Sequence, residues 1–140
     1  HYIQLILALI LNKDYSYSTQ IQKLYLSDQD DRKFLKTYIF PNAQQKVNDR
    51  DSIRLREAKN IYRDYVENKI ILNTQDKFNL AMLFQHGKTI EEYEIAHKLA
   101  KEVTKSGKDI QNAGWLEKAT YDRLQLAKGK PQKYGTQKKL

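Results

Sequence analysis

Hydrophobic residues recur at intervals of three and four along most of this chain, which is the spacing of a buried helix face. Few segments lack such a stripe. The stripes predict six helices, with approximate bounds 2–12, 18–40, 48–69, 73–87, 89–105 and 109–129. The pattern therefore predicts an all-α protein, a compact bundle of about five or six helices.

Several helix ends carry local signals. Thr89 and Glu92 have the spacing of a capping box, in which each side chain bonds the other residue's backbone amide. Asn73 or Thr74 is expected to cap the preceding helix, and Gly87 is expected to end it at the C′ position. These signals place the start of one helix and the bounds of another.

Two further breaks are predicted nearer the N-terminus. The polar stretch 14–18 is expected to interrupt the first apolar helix, with Ser18 or Thr19 as the N-cap of the next. Pro41 disfavours the helical conformation of the residue before it, which predicts a helix end near Phe40.

The same stripes predict which side chains are buried. The inward face of 48–69 is expected to contain Ile53, Ala58, Ile61, Tyr62 and Tyr65. The last helix, capped by Asp109, is expected to bury Ile110, Ala113, Trp115, Leu116, Ala119 and Leu126. Small residues on both of the last two helices favour close packing, so we expect them to form an antiparallel αα-hairpin.

Composition agrees with this picture. The chain has 140 residues, of which 40% are hydrophobic, and this predicts a single helical domain over 1–140. Only five glycines and two prolines are present, which favours long helices. No cysteine is present, so disulfides and thiolate metal sites are excluded.

The N-terminal apolar run does not predict a membrane span. Residues 2–11 are far fewer than the ~20 that a spanning helix requires. The chain begins with His1, so the compartment stays open: the protein is cytoplasmic, or exported with a signal peptide missing from this chain.

Positive charge is concentrated at the C-terminus. The net charge is +8, and residues 105–140 contribute +6 of it, from nine basic and three acidic residues. From Lys128 onward there are five lysines and no acid, which predicts a basic, non-helical strap over 128–140. Such a strap is either a solvated tail or a surface for nucleic acid or an acidic protein.

Charged residues fall on two predicted apolar faces. Asp122 and Arg123 lie on or beside the inward face of the last helix, and Asp28 and Arg32 share a stripe with apolar residues in the second. Buried charges must be paired. These residues therefore form a structural ion network, are exposed by shorter helices, or line one pocket.

A pocket of this kind would have recognisable chemistry. Arginine would anchor a carboxylate or phosphate, and His86, His97 or Asp122 would supply acid or base catalysis. The histidines lack the spacing of a metal motif, so no metal and no cofactor is predicted. No Gly-rich phosphate loop or nucleophile elbow is present, which excludes several familiar enzyme classes.

The end of the chain has a specific pattern. Asp122-Arg123 is followed at 129–137 by GKPQKYGTQ, which resembles the closing motif G-x-P-Q-x-Y/F-G-T-Q of a family of uncharacterised bacterial domains. Weaker matches to the same family are Asp28-Gln29 with Arg32, FQHG at 84–87 and AHKLA at 96–100. The resemblance implies a bacterial helical domain, sometimes exported or beside helical repeats, and implies no particular reaction.

The leading hypothesis is a polar pocket that binds a small anionic or amide-containing ligand, with enzymatic action left open. The proposed catalytic residues are His86, His97 and Asp122, and the proposed ligand-binding residues are Asp28, Gln29, Arg32, Arg123, Gln132, Tyr134, Thr136 and Gln137. The alternatives are a basic module for nucleic acid or an acidic partner protein, and a structural subunit of a larger assembly.

Overall fold

A computed structural model of the chain describes residues 2–37 and 41–138, and at 10–14 and 37 it describes the backbone only. The described residues form five helices and no strand: α1 Tyr2–Thr37, α2 Ala43–Val66, α3 Thr74–Gln85, α4 Ile90–Lys105 and α5 Ala113–Ala127. The prediction of an all-α bundle is confirmed. Within the described ranges, no helix has both the length and the apolarity needed to cross a membrane.

The first helix is longer than predicted. α1 runs through 14–18 without a break, so the interruption and the N-cap at Ser18 or Thr19 were wrong. Two hydroxyls explain the continuity, because Thr19 donates to the carbonyl of Tyr15 inside the helix, at 3.0 Å, and Ser18 donates to Asp76 of α3, at 2.6 Å. A polar stretch predicted to end a helix is instead bonded within the fold.

The break near Pro41 is confirmed in position, since α1 ends at Thr37 and α2 begins at Ala43. Phe40 itself lies outside the described residues. α2 begins five residues before the predicted start, after Asn42 in the left-handed conformation (φ 68°).

The packed face of α2 is the predicted one except at Ile53. Ile53 was predicted to be buried but is 51% exposed, whereas Leu55 is buried. Asp51 and Arg54 occupy the inward face, and they are bonded to each other there. The ion pairs of these two residues help to determine which side chains of α2 are buried. A pattern of apolar residues alone does not show this.

α3 is the centre of the bundle. It contacts all four other helices, and nine of its twelve residues are buried. The hydrophobic cluster around it includes Ile21 of α1, Ile61 of α2, Leu99 of α4 and Leu116 of α5. The C-terminal end of α3 therefore lies among several neighbouring elements.

The caps of α3 and α4 are largely as predicted. Asn73 caps α3 and forms a capping box with Asp76, and the box of Thr89 with Glu92 starts α4. Gly87 follows the end of α3, and its role is to let α4 approach closely. A Cβ atom at Gly87 would lie 2.7 Å from a carboxylate oxygen of Glu92 and 2.8 Å from its Cβ.

α4 and α5 form the predicted antiparallel hairpin. Thr104 near the end of α4 contacts Glu117 near the start of α5, and His97 contacts Thr120 one turn further along. Asp109 does not cap α5, which begins at Ala113 after Asn112 in the left-handed conformation.

Two apolar residues of α5 were assigned to the wrong face. Trp115 is 49% exposed and Leu126 is 45% exposed, although both were predicted to be buried. The inward side of the helix instead includes Leu116, Thr120 and Asp122. The polar residues displace the large apolar ones because they bond to neighbouring segments.

Candidate functional site

The chain after α5 folds back onto that helix as a strap, residues 128–138. The strap is not helical, as predicted, and Gly129 and Gly135 adopt positive φ angles of 74° and 69°. Such angles are readily accessible to glycine. The two turns bring residues 133–137 over the side chains of Asp122 and Arg123.

The fully buried Asp122 holds the strap with four hydrogen bonds. One carboxylate oxygen accepts from the amides of Lys133 and Tyr134, at 2.8 and 3.0 Å. The other accepts from the amide and the hydroxyl of Thr136, at 3.0 and 2.7 Å. Burial acts to raise the pKa of Asp122, but these donors outweigh it and lower that pKa to about 2.

Arg123 and Gln137 lock the end of the strap. The guanidinium donates two hydrogen bonds to the side-chain oxygen of Gln137, at 3.1 and 2.8 Å, and a third to the carbonyl of Gln85, at 2.6 Å. Gln132 in turn bonds the backbone of Gln137 through both ends of its amide. Burial lowers the pKa of Arg123, and the positive charge of Arg32 lowers it further.

His86 lies one residue beyond Gln85, where it caps the C-terminal end of α3. Its Nδ1 is 2.8 Å from a carboxylate oxygen of Asp28, which is 1% exposed. The second oxygen of Asp28 accepts from Gln29 at 2.9 Å, and Arg32 lies 3.4 Å from the first. A buried carboxylate thus fixes the orientation of the imidazole ring.

An alternating series of charges extends from this pair into α2. Arg32 forms a two-pronged ion pair with Asp51, with both distances 2.8 Å, and Arg54 joins Asp51 to Asp31 at 2.7 and 2.8 Å. Burial acts to raise the pKa of Asp51, but its bonds to Arg32 and Arg54 outweigh burial and lower it. The network orients α1 and α2 behind His86.

A cavity of about 320 Å³ opens beside His86 between α2 and the start of α4. Its lining consists of Asp51, Ser52, Leu55, Arg56, Lys59, His86, Lys88, Thr89 and Glu92. All of these residues except Leu55 are polar or charged, three of them cationic, although carbon atoms contribute most of the lining surface.

The two acids in that lining are already bonded. Asp51 is paired with two arginines, as described above. Glu92 accepts from the amides of Lys88 and Thr89, at 2.8 and 3.1 Å, and from the ammonium of Lys59 at 2.9 Å. Burial acts to raise the pKa of Glu92, but these donors lower it below the usual range.

Two of the cations in the lining are free of such pairing. Arg56 and Lys88 form no ion pair with any residue that the structure describes, and both are exposed. The cavity therefore has an excess of positive charge on its wall and the His86 ring at one side.

His97 lies on a different surface. Its Nδ1 is 3.1 Å from the hydroxyl of Thr120, and burial and the charge of Lys101 lower its pKa. The ring lines a second cavity, of about 250 Å³, together with Tyr121 and Tyr134 of α5 and the strap. His97 and His86 thus line two separate cavities.

The predicted site residues therefore fall into three groups. The first group contains Asp28, Gln29, Arg32 and His86. The second contains Asp122, Arg123, Gln132, Thr136 and Gln137, and it adjoins the first through the carbonyl of Gln85. His97 and Tyr134 form the third, at the second cavity.

Sequence reasoning missed the cavity wall beside His86. The overlooked charged residues of the wall are Asp51, Arg56, Lys59, Lys88 and Glu92, and Arg54, which pairs with Asp51, was also overlooked. A signal was present for one pair, because Asp51 and Arg54 are three residues apart on a helix and opposite in charge. The lysines and Arg56 carried no comparable signal, since exposed cations are common on helices.

Comparisons of the chain with protein-family models, curated proteins and solved structures found no match. The resemblance to a bacterial family therefore stays a prediction. Among residues 2–37 and 41–138, no group of three or more histidine, aspartate or glutamate side chains could hold a metal ion.

Proposed function

We propose that the cavity beside His86 binds a small anionic ligand and that His86 exchanges a proton with it. The observation that carries the proposal is the contact of His86 Nδ1 with the buried carboxylate of Asp28, at 2.8 Å, on a ring that lines the cavity. This arrangement is typical of histidines that act as acids or bases.

The orientation of the ring supports a proton-transfer role. A carboxylate only accepts hydrogen bonds, so Nδ1 carries the hydrogen in the bond to Asp28. Nε2 of the neutral ring then has a free lone pair, and no described residue forms a hydrogen bond with it. This nitrogen is the group that would accept a proton from the ligand.

The charges on the wall support an anionic ligand. The carboxylates of Asp51 and Glu92 are neutralised by partners within the fold. Arg56 and Lys88 are left to pair with a ligand, and the guanidinium of Arg56 suits a carboxylate or phosphate. The hydroxyls of Ser52 and Thr89 in the same lining are further hydrogen-bonding groups.

The proposal is tested by thermal unfolding of the wild-type chain with inorganic phosphate, sulfate, acetate, succinate and citrate, each over a range of concentrations. A ligand present at a hundred times its dissociation constant stabilises the native state by about 2.7 kcal/mol. We expect at least one of these anions to stabilise the protein, and Arg56→Gln/Lys88→Gln to lose that stabilisation.

The matched control is Lys23→Gln/Lys46→Gln, which removes the same charge from exposed positions on α1 and α2. It should keep the stabilisation. The variant His86→Asn should bind the anion but lose any proton exchange coupled to binding, seen as a binding enthalpy that no longer varies with buffer ionisation enthalpy. Equal stabilisation of all four proteins would contradict a site at this cavity.

A further inference from the structure

The second cavity has an aromatic wall. The rings of His97 and Tyr121 meet edge to face at a centroid distance of 5.6 Å, and Tyr121 meets Tyr134 in the same way at 5.7 Å. Tyr134 is 44% exposed, although its backbone is fixed by the bond to Asp122. An exposed aromatic ring on a fixed backbone is a surface on which a planar group can stack.

Gly114 lines the same cavity, and no feature of folding requires a glycine there. It lies in the first turn of α5, its φ is not in the left-handed region, and an added Cβ would meet no atom within 4 Å. Glycine in a helix costs roughly 0.5–1 kcal/mol relative to alanine. Its effect here is to leave the cavity open.

Cations surround this aromatic wall. The ammonium groups of Lys118 and Lys133 lie over the Tyr134 ring, 5.7 and 5.2 Å from its centre, and Lys101 is close enough to His97 to act on it electrostatically. The one acid in the cavity lining, Glu117, is bonded to the hydroxyl of Thr104 at 2.7 Å. Positive charge therefore dominates the cavity rim.

We propose that this surface binds single-stranded nucleic acid, with one base stacked on Tyr134 beside Gly114 in place of a lysine ammonium, and with Lys118 and Lys133 turned to the adjoining phosphates. Aromatic side chains on which bases can stack, together with a cationic rim, are the two components of single-strand recognition. The exposed Lys130 and Lys138 of the strap extend the positive charge beyond the cavity, which favours a strand over a free mononucleotide.

The experiment measures binding of fluorescein-labelled oligouridylate of eight nucleotides by fluorescence anisotropy at several salt concentrations. We expect Tyr134→Ser to weaken binding roughly 5- to 150-fold, the range that loss of one stacked base produces. Lys118→Gln/Lys133→Gln should lower the slope of log affinity against log salt by about 1.4, or about 0.7 for each lost contact.

Gly114→Leu tests the cavity itself, because the new side chain fills the space without removing a charge. It should weaken binding as Tyr134→Ser does, whereas Gly114→Ala, which adds one methyl group, shows that the helix tolerates substitution. Lys23→Gln/Lys46→Gln and His86→Asn should leave the affinity for oligouridylate unchanged. This result would distinguish binding at the aromatic surface from binding at the cavity beside His86.

Three results would overturn the proposal. The first is that oligouridylate does not bind. The second is that it binds but Gly114→Leu and Tyr134→Ser have no effect, which would mean that only charge matters. The third is that uridine monophosphate binds as tightly as the oligomer, which would mean that no strand is recognised. Loss of binding in the two cavity variants, with both thermally as stable as the wild type, supports it.

Discussion

Two neighbouring regions of the molecule each contain a buried carboxylate beside an arginine, and they differ in what those groups still offer. At the strap, all four hydrogen bonds of Asp122 go to residues of the chain itself, and Arg123 is bonded to Gln137 and Gln85. At the end of α3, Asp28 orients His86, whose ring lines an open cavity and whose second nitrogen bonds to no described residue. The region with the more specific sequence motif is the one whose polar groups are already bonded.

This difference indicates separate roles. Residues with every polar atom bonded inside the fold stabilise it, because a ligand would have to break those bonds first. Residues that are oriented on one side and unbonded on the other are suited to bind or react. By this criterion Asp122 and Arg123 hold the structure together, and His86 is the better candidate for chemistry.

The largest expected effect is that of Asp122→Asn. The amide NH₂ would face backbone donors in place of an acceptor, so we expect a loss of about 3 kcal/mol in the free energy of unfolding. Urea denaturation measures it. Asp109→Asn, at an exposed position in the loop before α5, should change stability by less than about 0.5 kcal/mol. A small loss in Asp122→Asn would mean that the strap is not held by this carboxylate.

Acid should act on the same bonds. The pKa of Asp122 is lowered to about 2 in the folded state, so its ionised form is the one that stabilises the fold. That contribution is complete above the ordinary pKa of an aspartate, about 3.9, and is lost as the pH falls through about 2. Between pH 7 and 2, the free energy of unfolding should therefore fall more steeply with decreasing pH for the wild type than for Asp122→Asn. Parallel curves would contradict this assignment.

A smaller effect is expected at the end of the strap. Gln137→Ala removes the acceptor of two bonds from Arg123 and should cost about 1–2 kcal/mol. Limited proteolysis should also cut the strap sooner in this variant. Lys138→Ala, one residue further on and exposed, is the control and should behave as the wild type does. Equal cleavage rates would show that Gln137 does not hold the strap.

The smallest effect on stability is expected at the cavity beside His86. Lys88→Gln removes an exposed charge that forms no ion pair with a described residue, so stability should change by less than about 0.5 kcal/mol. Stabilisation by the anion should nevertheless fall. If Lys88→Gln destabilises the free protein as much as Gln137→Ala does, the two regions do not differ as described.

The features that could be predicted from sequence are those set by neighbouring residues. The capping box of Thr89 and Glu92 depends on residues three apart, and its prediction was confirmed. The continuation of α1 depends on a bond from Ser18 to Asp76, 58 residues away. Because neighbouring residues do not reveal this bond, the sequence pattern predicted a helix break at 14–18. Likewise, the burial of Asp51 on the inward face of α2 follows from its pairing with Arg32 across helices.

The candidate site was predictable only in part, for a related reason. The residues of the strap motif were recognisable from the sequence. Asp122, however, is bonded mainly by backbone amides, which are the same for nearly every residue type and so leave no pattern in the sequence. His86 and Asp28 were assigned to the same predicted pocket, but their direct bond could not be predicted, because they are 58 residues apart in the chain. The motif residues could be named from the sequence, whereas the hydrogen bonds that they form could be known only from the three-dimensional structure.

The most direct test is a map of backbone amide chemical shifts by two-dimensional NMR during titration with the anion that stabilises the wild type most. The largest changes should fall on Ser52, His86, Lys88 and Thr89, with Thr136 and Gln137 of the strap unchanged. Changes centred on the strap, with the amides around His86 unaffected, would contradict the account.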